Sequence, residues 1–333
     1  MKYIKTLPVL IFSILFFLAC DQKKKSDENQ TSVKEWSNWA ERLGYPAGKK
    51  VIMLHADDAG MCEEANIATK RDLLDGHIQS AAAMPPCPYF EDMIEWAKEH
   101  PDMDIGLHLA LTSEWKTYRW PSVTPVDEVP GLIDEEGMMW RSVEEVVQHA
   151  TVEEVAKEVR AQIEKSLALG YRPGHIDTHM GTLYGHPEFA KAYLQIAMEY
   201  SIPANAIDMS NQEVVEYYKG QGYPITDELI EFMESYSLPK IDFFTSAPNA
   251  ETYEEKIKAF QGLVSSLPAG ITEIIFHPSV ETEHLKTITG SWQQRIWEAQ
   301  MFSDPEMIKF FEKEGVIFTD WKEIMKRFEA AEL

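Results

Sequence analysis

Four groups of titratable residues in this 333-residue chain follow directly on short apolar runs of β-forming composition. Asp57 and Asp58 come after Val51-Ile-Met-Leu-His-Ala56, and His108 stands near the end of Asp104-Ile-Gly-Leu-His-Leu109. His175, Asp177 and His179 make up His-Ile-Asp-Thr-His, and His277 closes Ile271-Thr-Glu-Ile-Ile-Phe-His. Singly, each has an ordinary structural use. An Asp pair before Gly60 suits a turn and a helix cap, and a lone histidine on an apolar strand suits a satisfied core position. Together they supply a carboxylate and two imidazoles for a divalent ion, with a second carboxylate alongside. An ion held by Asp58, His108 and His179 would keep positions open for water and a substrate carbonyl. Asp57 would take the proton of that water, and His277 would protonate the departing nitrogen or oxygen. His175 and Asp177 read as groups that orient their neighbours. No Gly-x-Ser-x-Gly elbow and no setting for a nucleophilic cysteine is visible, which disfavours an acyl-enzyme route.

These groups need a scaffold that brings strand ends together. Runs at Val51–His55, Ile78–Ala83, Asp104–Leu109, Gly174–Thr178, Ile202–Ile207, Lys240–Phe244, Ile271–Phe276 and Val316–Thr319 read as strands, with helical stretches between them. Eight parallel strands covered by helices predict an α/β fold, a (β/α) barrel, whose site lies at the carboxyl ends of the strands. Ser142 with Glu145 and Thr151 with Glu154 fit helix-capping boxes. Val152, Val155, Val159, Ile163 and Leu167 keep one apolar stripe up to Gly170. Residues 112–141, rich in Trp, Pro and Gly, read as a long excursion from one face of the barrel. Its Trp115, Tyr118, Trp120 and Trp140 would either stack on a ligand or pack the loop onto the barrel. No internal linker divides residues 50–333, which are expected to form one catalytic domain.

Residues 1–19 read differently. Lys2 and Lys5 precede an apolar stretch from Leu7 to Ala19, and Leu18-Ala19-Cys20 resembles the end of a bacterial lipoprotein signal. The expectation is cleavage before Cys20, lipidation of that cysteine, and a polar tether over residues 20–49. The protein would then be an exported, membrane-anchored lipoprotein of the bacterial cell envelope. Cys62 and Cys87 remain after cleavage and read as two free thiols. With 31 Lys+Arg against 55 Asp+Glu the formal net charge is -24, so nucleic acid and anionic surfaces are repelled at long range.

The residues from about 51 to about 320 resemble the YdjC-like carbohydrate deacetylases, which remove acetyl from N-acetylated chito-oligosaccharides and include members linked to hopanoid lipid biosynthesis. The carriers are His55-Ala-Asp-Asp-Ala-Gly60 with Asn66 downstream, Gly106-Leu-His-Leu109, His175-Ile-Asp-Thr-His179, His277-Pro278, Arg295 and Glu298. The resemblance implies a distorted TIM-like (β/α) barrel, one divalent ion, Zn²⁺ or Mg²⁺, on Asp58, His108 and His179, and Asp57 as base. It also implies supporting or substrate-binding places for Asn66 and Arg295. Met180-Gly-Thr-Leu-Tyr-Gly-His186 stands where the family commonly has further histidines, and Ala59 where it usually has an aromatic; both flank the substrate mouth. The expected activity is hydrolysis of an acetyl group, in the first instance an N-acetyl amide, from a sugar or glycan. Alternative readings are a glycan-binding lipoprotein without turnover, or a deacylase of an acylated lipid headgroup.

Overall fold

The computed structural model describes residues 36–331. The signal, Cys20 and the first part of the tether therefore lie outside the described residues. The end of the tether does not behave as one: residues 36–49 belong to the barrel unit. A helical turn, Trp39–Arg42, buries Trp39 and Ala40, and the backbone N–H groups of these two residues donate to Asp242 at 2.7 and 3.1 Å. Tyr45 is anchored to Thr319 by a 2.6 Å hydrogen bond between hydroxyls. The buried apolar residues Trp39, Leu43 and Tyr45 explain the difference, because composition that can bury surface does not stay solvated.

Among the described residues, seven strands form one parallel sheet: β1 (Lys50–Ala59), β2 (Ser80–Ala83), β3 (Asp104–Leu109), β4 (Ile176–Thr178), β5 (Phe243–Ser246), β6 (Gly270–Phe276) and β7 (Ile317–Phe318). Their order is β4-β3-β2-β1-β6-β5, with β7 pairing the start of β1 at Val51 and Ile52. β1 is central and, apart from Lys50, buried throughout, which is why it reads as a continuous apolar run rather than an alternating one.

The eighth expected strand, Ile202–Ile207, is not one. It makes single parallel bridges, Ala204 with Ile176 and Ile207 with Ile241, and so links β4 to the approach of β5 without a ladder. Pro203 has no N–H to donate, and the N–H of Ala204 is taken by the Tyr236 hydroxyl at 2.8 Å. This is the distortion in the barrel.

Helices cover the outside. Thr151 and Glu154 form the full capping box of the helix Val152–Ala168, and its stripe of Val155, Val159 and Ile163 is fully buried. Each such side chain stabilises the fold by roughly 1.5–3 kcal/mol. The excursion of residues 112–141 is held down by buried polar anchors. Glu158 accepts from the N–H groups of Val123 and Thr124 at 2.9 and 2.8 Å, and Arg119 binds Asp134 at 2.6 Å. Cys62 and Cys87 are buried free thiols, and burial pushes Cys62 up to about 12. Among the described residues no helix is long and apolar enough to cross a membrane.

Candidate active site

Adjacent residues on a regular strand face opposite ways, so Asp57 and Asp58 can share one cavity only if the strand is broken. It is. The β1–β2 register runs His55 to Ser80 and Ala56 to Ala81, then Ala59 to Ala83, so β1 has one residue more than its partner. Asp58 takes up the extra length in the left-handed region, at φ 60°. Gly60 follows at φ 78°, where a Cβ would lie 3.0 Å from the Phe90 backbone, so the turn requires glycine on both counts. Asn66 accepts the Gly60 N–H at 2.6 Å and donates to Tyr89 O and Asp92. Asn66 thus braces the bulge and is not among the residues lining the cavity.

Asp58 Oδ1 lies 3.5 Å from His108 Nε2 and 3.3 Å from His179 Nδ1, and those two nitrogens are 3.2 Å apart. All three side chains are buried, and Asp58 Oδ1 has no hydrogen-bond partner. Each of the three is held from behind. Arg295 Nη2 donates to Asp58 Oδ2 at 2.7 Å, His108 Nδ1 meets Asp177 Oδ1 at 2.6 Å, and His179 Nε2 meets Glu114 Oε2 at 3.0 Å. With those nitrogens carrying the protons, the lone pairs of His108 Nε2 and His179 Nδ1 turn to the same point as Asp58 Oδ1. The set can hold a metal ion. The electrostatics agree. Burial pulls His179 down, yet the charges of Glu114 and Asp58 outweigh it and raise it to about 10; His108 is raised in the same way by Asp57 and Asp177. Burial pushes the Asp58 carboxyl up, but Arg295 and the histidines hold it well below the usual range. The field at this point favours positive charge.

Asp57 stands beside the set, with Oδ2 3.8 Å from His108 Nε2 and 4.0 Å from His277 Nε2. Burial, with the negative charge of Asp177 added, holds its carboxyl above the ordinary range. The half-buried His277 is lowered by desolvation. The backbone at His277 is fixed by Glu298, which accepts its N–H at 2.8 Å and is itself paired with buried Lys256 at 2.8 Å.

Two functional groups were missed from the sequence. His55, one turn of the pleat below Asp57, lies 3.0 Å from Asp177 Oδ2 and 3.4 Å from Asp57 Oδ1, and its other nitrogen meets Ser80 Oγ at 3.0 Å. Burial lowers it, but Glu273, Asp177 and Asp57 together raise it to about 10. Glu114 comes from the excursion; its signal was an acid five residues after β3 ends. His175 lies deeper than expected. Its ring packs against Gly106, stacks on Trp321 at 5.8 Å and faces Asp104 at 3.5 Å, away from the cavity. The aromatic residues of the excursion pack rather than line the cavity. Trp120 donates to Thr112 O at 3.0 Å, Trp140 to Gly131 O at 2.8 Å, and Tyr118 to Met61 O at 2.8 Å. Trp115 lies over the Arg295 guanidinium at 5.5 Å.

Asp57, Asp58, His108, Glu114, His277 and Arg295 open on one cavity of about 410 Å³. A parallel barrel that gathers three histidines and two aspartates at the carboxyl ends of its strands, with an arginine reaching them from the helix Trp292–Met301, has the framework of a barrel enzyme. The chain belongs to the YdjC-like protein family, whose model matches residues 51–313. It is 29% identical over 270 residues to a carbohydrate deacetylase of Thermus thermophilus, covering 80% of this chain and 91% of that protein. A carbohydrate deacetylase of Enterococcus faecalis is 26% identical, over 83% of this chain and 98% of its own length. A crystal structure from Enterococcus faecalis V583, described as a cellobiose-phosphate cleavage protein, superposes with a TM-score of 0.68 at 24% identity; the match covers 84% of this chain and 100% of that one, and supports the fold.

Proposed function

We propose that the protein is a metal-dependent carbohydrate deacetylase that hydrolyses an acetyl amide on a sugar or oligosaccharide. The observation that carries this is the convergence of Asp58 Oδ1, His108 Nε2 and His179 Nδ1, each backed by a buried charged partner, beside a separate carboxylate. A divalent ion bound there would polarise the amide carbonyl and make a water molecule easier to deprotonate. Asp57, raised by burial, takes the proton of the attacking water. His277, 4.0 Å from Asp57 on the other side of the cavity mouth, delivers a proton to the leaving nitrogen, and its lowered pKa favours giving that proton up. Arg295 holds Asp58 ionised. Asp177 bridges His108 and His55 and so ties the orientation of the ligand to that of the base. Relatives named carbohydrate deacetylases, matched over 91% and 98% of their own lengths, support the reaction type.

The test is acetate release from N-acetylated chito-oligosaccharides and O-acetylated glycans with several divalent ions. Metal-dependent release is expected. Asp57→Asn should retain metal and lose about 10²- to 10⁴-fold in turnover, whereas His108→Ala and His179→Ala should lose the metal. Equal metal content and equal activity in all three would overturn the assignment. The reading extends to an envelope lipoprotein anchored through Cys20, supported by the Leu18-Ala19-Cys20 ending; palmitate labelling that persists in Cys20→Ala would refute it.

A further inference from the structure

The reaction centre lies at the buried end of the cavity, where Asp57, Asp58, His108 and His179 are covered. From there the cavity opens outward past β5 and past the segment that joins the helices Gln212–Gly220 and Asp227–Glu234. Two hydroxyls on this outer part, those of half-buried Tyr223 and exposed Ser246, have no hydrogen-bond partner among the described residues. Neighbouring polar groups on the wall are spent within the protein. The Tyr184 hydroxyl donates to Asn205 O. The Tyr218 hydroxyl donates to Phe244 O at 2.9 Å and accepts the Phe244 N–H at 2.9 Å, and the Asn205 side-chain amide donates to Glu273 at 2.9 Å.

Both free hydroxyls belong to one braced unit. Ser246 ends β5, and Phe244, two residues before it, faces the same side of the strand. Tyr218 is pinned to Phe244 by its two hydrogen bonds, and the Tyr223 ring packs edge-on against Tyr218 at 6.0 Å between centroids, with the Tyr223 N–H donating to Tyr218 O at 3.2 Å. Tyr223 Oη reaches the loop that follows His179, where a Cβ on Gly181 would lie 3.6 Å from it. Ser246 stands on another flank. It pairs in register with Ile275 of β6, and His277 comes two residues later.

In the deacetylase reading His277 gives a proton to the nitrogen that leaves with the sugar, so the sugar lies on the side of the centre where β5 ends. We infer that Tyr223 and Ser246 are specificity-determining residues whose hydroxyls bond to hydroxyls of the sugar unit that carries the amide. The inference rests on the deacetylase reading and assigns the groups that read the sugar. Ligand pockets combine mostly apolar walls with a few placed polar groups that fix orientation, and here Met209, Leu229 and Phe244 supply such walls around the two hydroxyls. A sugar without the matching hydroxyl covers Tyr223 or Ser246 and leaves it unpaired, which is how a site rejects a close analogue.

Tyr223→Phe and Ser246→Ala remove the hydroxyls alone. The probes are the methyl glycoside of N-acetylglucosamine and its analogues that each lack one hydroxyl. Binding is followed by calorimetry on metal-loaded protein carrying Asp57→Asn, and hydrolysis by release of free amine from the metal-loaded enzyme. Each substitution should weaken binding of the parent glycoside about 2- to 12-fold, the worth of one hydrogen bond between neutral groups. Each should also leave the affinity of one analogue unchanged, because the partner that the substitution removes is already missing there. In turnover the loss should fall on KM. Affinity indifferent to one substitution strikes that residue from the site, and indifference to both, with amine still released, overturns the inference alone. A loss equal across all the analogues marks a structural effect and overturns it as well. Binding that depends on both hydroxyls with no amine released leaves the sugar site standing and overturns the deacetylase reading, and a parent glycoside that does not bind overturns both.

Discussion

Gly106 is two residues before His108 on β3, and its lack of a side chain is what lets His175 lie where it does. A Cβ at this position would stand 2.3, 2.4 and 2.5 Å from three atoms of the His175 ring. Ordinary contact begins near 3.4 Å, so the overlap is about 1 Å against a ring that cannot retreat. His55 meets it edge-on at 5.0 Å between centroids, Trp321 stacks on it at 5.8 Å, and all three are fully buried. Gly106→Ala should therefore cost about 3 kcal/mol, the upper end of the usual range for overpacking. With an unfolding entropy of about 2.1 cal/mol/K per residue, that corresponds to a fall in Tm of roughly 5 °C for a domain of this size. The assay is a double-mutant cycle by urea unfolding and thermal melting, with Gly106→Ala, His175→Ala and the double variant. His175→Ala is destabilising by itself, since it empties a buried site. On that background, however, the added methyl should cost little, because the atoms it struck are gone. A Gly106→Ala penalty of equal size with and without the His175 ring would refute the steric argument. Metal content gives a second readout, since a shift of β3 moves His108 away from Asp58.

Two further outcomes follow from the charges around the centre. Glu114→Gln replaces the carboxylate behind His179 with a neutral amide and should weaken metal affinity by roughly 10- to 100-fold, measured by competition with a chelator; unchanged affinity would show that Glu114 does not orient the ligand. His55 is raised from 6.5 to about 10 in the folded protein, so the folded state holds its proton more tightly than the unfolded chain. Its stabilisation is fully present below pH 6.5 and drains away as pH rises through about 10. In chelator-treated protein the urea midpoint should fall more steeply over that window than it does for His55→Gln, and parallel pH profiles would exclude this role.

Chemistry at strand ends was legible because parallel strands in a barrel are short apolar runs and whatever polar group ends them is conspicuous. Asp57, Asp58, His108, His179 and His277 all reach one cavity from four such endings. What lay beyond the reading depended on packing across the barrel. His175 and Asp177 stand two residues apart at β4 with the same local pattern, yet Asp177 meets His108 and His55 and His175 sinks against Gly106, a choice made by the size of the residue on the neighbouring strand. Asn66 carries a motif but uses all its hydrogen bonds on the backbone around Gly60 and on Asp92. Glu114 sits in a stretch without periodicity, and only the fold of the excursion, pinned by Glu158 and Arg119, brings it to His179. The stretch 202–207 has strand composition, but Pro203 and the Tyr236 hydroxyl remove the donors a ladder needs. The tether ended earlier than expected because Trp39 and Tyr45 find apolar cover on the barrel.

β1 carries both aspartates, and two of its three partners on the sheet are distant along the chain: β6 begins at Gly270 and β7 at Ile317. The guanidinium that holds Asp58 is 237 residues away in sequence. During synthesis the N-terminal part can pair β1 with β2 and β3, but one whole edge of the central strand stays open until the last quarter of the chain has been made. An open edge of that length, with a buried composition on both faces, is a template for pairing with other chains. The completion of the catalytic centre and the closing of the molecule's most aggregation-prone surface are therefore one event, late in synthesis, and a chain cut short before residue 270 would lack both.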